Sequence, residues 1–239
     1  MKVTQQHSLA GVSPRLFIRG LLLVVVIGII LPFLVSYWSI PEFFSGALWV
    51  SDPFHAFIEA SGSTIALLLA LIVLLHAKGE KRVQNIIIAS AFIGMGLFDL
   101  FHSWTLPGNN FVWLHSIAVF SGGLIFCFLF FPKKILSLFQ QWLPIAVVVF
   151  VCLVASWSLL YPEHVPVMLV GDRFSSTAIL LNYVGGLLFL LAVIRFVVFF
   201  RQTGERIYLY FGTLCALFGS AGLLFSVSVL WDVELWWWH

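Results

Sequence analysis

Charge is scarce in this sequence. Asp, Glu, Lys and Arg make up 9% of its 239 residues, against about 25% in a soluble domain, which excludes a water-soluble globular fold. The formal net charge of +2 comes from basic residues set between apolar segments, so no nucleic-acid partner is expected. Cysteine is nearly absent. Cys127, Cys152 and Cys215 all fall inside apolar segments, without the spacing of a metal motif or of a disulfide framework. Period-2 alternation is missing as well, which excludes an outer-membrane β-barrel. There is no glycine-rich phosphate loop and no cyclase signature, so no enzymatic activity is expected of this chain. No internal repeat or low-complexity linker interrupts it.

What remains is apolar: 62% of residues are hydrophobic, and Phe alone occurs 25 times. Seven stretches read as transmembrane helices, at 17–37, 53–75, 84–104, 111–131, 142–160, 176–200 and 207–231. The breaks between them hold Pro41 and Pro53, Lys78-Gly79-Glu80, Pro107-Gly108-Asn109-Asn110, Pro132, Pro162 and Gly204. The fold class is therefore an all-α integral membrane protein, with residues 1–16 as a tail and 17–239 as one polytopic domain. The first stretch ends in Leu-Pro-Phe-Leu-Val-Ser-Tyr-Trp without a small-x-small cleavage site, so it reads as an uncleaved anchor. The run Trp236-Trp237-Trp238-His239 resembles the interfacial start of a further helix, and an eighth span is expected after it.

Lys and Arg set the orientation. Lys2, Arg15 and Arg19 precede the first span, and Lys78, Lys81 and Arg82 lie between the second and third. Lys133 and Lys134 follow the fourth, while Arg195, Arg201 and Arg206 flank the sixth-to-seventh connection. Only Arg173 falls in a loop on the other side, with Glu42, Asp52, His164 and Asp172. This asymmetry predicts a cytoplasmic N-terminus in a bacterial inner membrane.

Against that background six ionisable residues stand out: His55, Glu59, Asp99, His102, His115 and His239. His55 and Glu59 are spaced i, i+4 and Asp99 and His102 i, i+3, each pair on one helix face. Helical rise places His55 about 3 Å and Glu59 about 9 Å below Pro53, with Asp99 about 12 Å and His102 about 7 Å below Pro107. His115 lies about 7 Å below Asn110, so three consecutive helices bring five polar groups to one layer of the outer leaflet. A carboxylate at mid-membrane costs roughly 2.5–3.5 kcal/mol on insertion scales, and such residues are functional or paired as a rule.

His with Asp or Glu is a ligand set for a transition metal such as zinc, copper or iron. Two other readings stay open: a polar network contacting an organic or protonic signal, and purely structural His–carboxylate pairing. Haem fits less well, because its iron favours apolar surroundings. Trp104 and Trp113 flank the cluster and are expected to form its rim, while the other tryptophans read as an interfacial belt. His7, His76 and His164 read as ordinary tail, interfacial and loop residues. Ser61-Gly62-Ser63, Gly94-Met95-Gly96, Ser121-Gly122-Gly123 and Gly185-Gly186 read as close helix contacts.

The order of these motifs carries a resemblance. His-x-x-x-Glu early in the second span, Phe-Asp-Leu-Phe-His late in the third and Trp-Leu-His opening the fourth resemble the bacterial membrane-associated sensor (MASE-type) domains. The tail Trp231-Asp232-Val-Glu-Leu-Trp236-Trp-Trp-His239 resembles the segment leading into their last helix. The resemblance implies a sensory half, N-terminal to a diguanylate cyclase, phosphodiesterase or histidine kinase. The polar cluster itself, not the resemblance, points to a small-molecule or metal signal from the periplasmic side, and outputs of that kind commonly require a homodimer. The alternative is an intramembrane metal hydrolase of the ceramidase-like type, but those carry a late His-x-x-x-His and the seventh span here has no His. A transporter would need polar groups continuing to the inner side, where the sequence is apolar.

Overall fold

The structure is a computed structural model and describes residues 14–37, 49–79, 82–232 and 236. His239, Trp237, Trp238, Glu234, Glu42, Pro41, Glu80, Lys81, Lys2 and His7 lie outside the described residues. The described residues are mainly helical, with one hairpin of two-residue strands among them.

An N-terminal helical run comprises α1 (Pro14–Val25), a π turn (Val26–Ile30) and α2 (Leu31–Tyr37). There follow α3 (Asp52–Leu75), α4 (Arg82–His102), α5 (Asn109–Cys127) with a 3-10 extension to Phe130, and the short α6 (Lys133–Leu136). The chain continues through α7 (Leu143–Leu160), the strands β1 (Leu169–Val170) and β2 (Arg173–Phe174), α8 (Ser176–Thr203) and α9 (Ile207–Leu224). Among the described residues six helices are long and apolar enough to cross a membrane: α3, α4, α5 with its extension, α7, α8 and α9. The expected seven-span count is thus met for six. Among the described residues the first stretch contributes a shorter apolar helix, Arg19–Leu34. The expected eighth span lies outside the described residues.

Local chemistry sets the helix ends. Pro53 sits in the first turn of α3 behind Asp52, where a missing N–H costs nothing and a carboxylate meets the positive end of the helix dipole. Ser175 caps α8, its Oγ accepting from Ala178 N at 3.2 Å. At the other end Gly204 adopts φ +70° and its N–H donates to Phe200 O, the left-handed stop that favours glycine. The last stretch is helical only to Leu224, not to 231. Beyond it Ser226 Oγ donates to Leu223 O, and Val229 N donates to the Asp232 carboxylate, which turns the backbone out of the helix.

α4 is the centre of the bundle, packed by α3, α5 and α7, and its run from Ile86 to Gly96 is wholly buried. α5 also packs on α8, and α8 on α9. Glycine makes those last contacts close: a Cβ on Gly123 would lie 2.6 Å from Gly185 O, and one on Gly186 would lie 2.7 Å from Gly219 O. The N-terminal run leans on α9, where Gly28 meets Leu217. One end of the bundle carries Lys78, Arg82, Lys133, Lys134, Arg201 and Arg206. The opposite end holds the starts of α3, α5 and α8, the ends of α4, α7 and α9, and the hairpin. Asn109 fixes that hairpin, its Oδ1 accepting from Met168 N at 3.0 Å and Leu169 N at 3.1 Å.

A buried histidine and carboxylate cluster

Three helices converge at the end away from the basic residues. α3 brings His55 in its first turn and Glu59 one turn deeper, and α4 brings Asp99 and His102 in its last turn. α5 adds His115 in its second turn. A Cβ on Gly96 would lie 3.1 Å from Ser63 O, so α3 and α4 approach closely one turn below the cluster.

The five expected side chains do come together. The His55 and His102 rings have centroids 5.2 Å apart, and those of His102 and His115 are 5.4 Å apart. His55 Nε2 lies 3.9 Å from Glu59 Oε1, and His115 Nδ1 lies 3.9 Å from Asp99 Oδ1. Two overlapping trios result. Ligand atoms of His55, Glu59 and His102 lie within 4.8 Å of one another, and so do those of Glu59, Asp99 and His115. His55 and His102 are almost completely buried, at 2% and 1% exposure.

Hydrogen bonding fixes one tautomer. His102 Nδ1 lies 2.7 Å from the Phe111 carbonyl oxygen, which can only accept, so Nδ1 carries the proton. In the neutral ring the lone pair is then on Nε2. Asp99 Oδ1 is buried and accepts no hydrogen bond from the described residues.

Aromatic rings roof the first trio. The Phe111 ring lies 4.8 Å from that of His55 and 4.2 Å from that of His102. Trp231 stands edge-on to His55 at 5.7 Å, and Trp236 follows at 6.2 Å. Two hydrogen bonds hold this roof: Trp49 N to Trp231 O at 3.1 Å, and Trp236 Nε1 to Trp49 O at 2.8 Å. Trp231 has φ +70°, a left-handed backbone that is rare for so bulky a residue. The second trio is open instead. Glu59, Asp99 and His115 line a cavity of about 170 Å³ between α3, α4, α5 and α9, whose other walls are mainly apolar, with Ile58, Met95 and Phe218 beside Ser63.

The expected rim residues stand elsewhere. Trp113 donates from Nε1 to Ser158 Oγ at 2.9 Å and faces a separate groove along α7. Trp104 is 75% exposed, with its ring against Phe101. Sequence spacing missed Phe111, Trp231 and Trp236 as the enclosing rings. The doublet His102 and Phe111, either side of the short Pro-Gly-Asn-Asn turn, was the available hint for the first of them. His164 pairs with Glu163 at 3.4 Å in the exposed loop, as an ordinary loop residue.

Six apolar helices around this cluster accompany a family match. Residues 51–233 match the model of MASE3, a membrane-associated sensor domain. The chain belongs to the MASE3 family. No curated protein and no solved structure matches it. The matched span begins just ahead of α3 and runs through the Trp231 turn, so it contains the whole five-residue cluster and most of its roof. MASE3 is a membrane-associated sensor domain, and the six long apolar helices among the described residues make this one multi-pass.

Proposed function

We propose that this MASE3 domain is the signal-input module of a bacterial inner-membrane signalling protein, and that it senses through a transition metal ion, zinc, copper or iron, held by His55, Glu59 and His102. The observation that carries the reading is this trio, two buried imidazoles and a half-buried carboxylate drawn together, with the His102 lone pair placed on Nε2 by the Phe111 carbonyl. The His55–Glu59 spacing is compatible with a shared ion. At 3.9 Å, His55 Nε2 and Glu59 Oε1 are too far apart to share a proton. A tetrahedral ion with ligands at 2.0–2.1 Å would set them about 3.4 Å apart, a contraction of about half an ångström. A cation also offsets two carboxylates withdrawn from water. Haem is disfavoured, since the Phe111 ring packs against both His55 and His102 and leaves no slot for a porphyrin.

The basic residues at the far end of the bundle support a cytoplasmic N-terminus and a cluster facing the periplasm. A signal there reaches a cytoplasmic cyclase or kinase by shifting the balance between two helix arrangements, within a homodimer. His239 is a further ligand candidate on the segment leading there. The hydrolase reading has less support, because α9 gives the cavity Phe218, Ala221 and Gly222 but no histidine.

The test is elemental analysis of protein purified in detergent without added metal. Bound transition metal is expected in wild type, and His102→Ala should lose it while remaining membrane-inserted and monodisperse. Full occupancy in His102→Ala would overturn the assignment.

A further inference from the structure

Glu59 belongs to both trios, and the two differ in surroundings. The ligand atoms of His55, Glu59 and His102 form one compact set, and those of Glu59, Asp99 and His115 form another, but the five do not form a single set within 4.8 Å. An ion with ligands at 2.0–2.2 Å holds opposite ligands at most about 4.4 Å apart, so one ion serves one trio and not all five residues. We infer that the cluster is a two-ion site, with Glu59 as the bridging carboxylate, one ion on His55 and His102 and a second on Asp99 and His115. This rests on the metal reading above and adds to it a second ion of different accessibility.

The observations bear on each half. The first position lies under Phe111, Trp231 and Trp236, between imidazoles only 2% and 1% exposed. The second opens onto the 170 Å³ cavity, which has room for water or another small oxygen or nitrogen donor on the ion. The second trio also accounts for Asp99, whose buried Oδ1 accepts no hydrogen bond from the described residues and lies 3.9 Å from His115 Nδ1. A carboxylate with one oxygen on each metal spaces two ions about 3.5–4 Å apart, as in other two-metal sites. Two divalent ions outweigh the two carboxylates. Water bound on the cavity side loses its proton readily when it touches a metal, and the hydroxide so formed offsets part of the excess. The ion under the rings is then the permanent one. The cavity-facing ion exchanges, and it is the position at which a small ligand acts.

The experiment is a Co2+ titration of the full chain, stripped of metal in detergent, followed by visible absorption and elemental analysis. Wild type is expected to take two equivalents, and Asp99→Asn and His115→Ala one each. Asp99→Asn is nearly isosteric and decides the matter if His115→Ala does not fold. One equivalent in wild type, lost in His102→Ala, overturns the second ion and leaves the proposed function standing. No uptake in wild type removes both. Two equivalents in wild type that persist in Asp99→Asn and His115→Ala place the extra ion elsewhere and also overturn the inference.

Discussion

Replacing Gly186 by alanine sets two opposing effects against each other, and the structure decides the sign. In a helix interior, Ala is favoured over Gly by about 0.8–1 kcal/mol. At Gly186 the added Cβ would meet Gly219 O at 2.7 Å and Gly222 Cα at 3.3 Å, both backbone atoms of α9 that no rotamer change can move. Restoring an ordinary contact of about 3.4 Å requires α8 and α9 to separate by about 0.7 Å, and overpacking of this kind costs about 1–3 kcal/mol. The net expectation is destabilisation by up to about 2 kcal/mol, which lowers the melting temperature by up to roughly 8 °C in a chain of this size. Gly62→Ala is the control, since its Cβ would meet nothing within 4 Å and only the propensity gain remains. Thermal unfolding of the two variants in one detergent gives the comparison. If Gly186→Ala melts at or above wild type, the α8–α9 contact is looser than described and the packing argument fails.

Asn109→Ala removes the acceptor for Met168 N and Leu169 N, at about 1–3 kcal/mol, and should expose the hairpin loop to limited proteolysis sooner than the remaining loops. Unchanged cleavage there would show that the hairpin does not depend on Asn109. Asn182 Nδ2 donates to Ser116 Oγ at 2.8 Å and to Ala178 O at 2.9 Å, so Ser116→Ala removes only one of its two bonds. A double-mutant cycle of Ser116→Ala with Asn182→Ala should give a coupling of about 0.6–1.7 kcal/mol, and a value of zero would deny the α5–α8 bond an energetic role.

The convergence of the cluster was legible because helical rise is uniform. His55, Glu59, Asp99, His102 and His115 sit where counting residues from Pro53, Pro107 and Asn110 puts them, and the short turn after His102 makes α4 and α5 neighbours. The roof was not legible. Trp231 and Trp236 read as interfacial anchors, and they do lie at that end of the bundle, but a left-handed turn at Trp231 swings them over His55. That turn follows from the Ser226 and Asp232 bonds to the backbone, which compete with helix in a stretch whose hydropathy alone continues the helix to 231. Trp113 illustrates the same limit. It lies two residues before His115 in α5, but its direction is set by Ser158, which is 45 residues away in sequence.

The pairing of Trp49 with Trp231 and Trp236 has a topological consequence. These bonds join a residue just ahead of α3 to residues just beyond α9, so the segment between them is a loop closed at its neck. Such a unit has its two chain ends side by side. Whatever precedes residue 49 and whatever follows residue 236 share one anchoring point, directly above His55. A circular permutant with the old ends linked there and new ones opened in an exposed loop is expected to fold, and thermal unfolding of that permutant in detergent checks it. The segment that follows residue 236 therefore enters the bundle through the aromatic neck, while the N-terminal run also rests on α9.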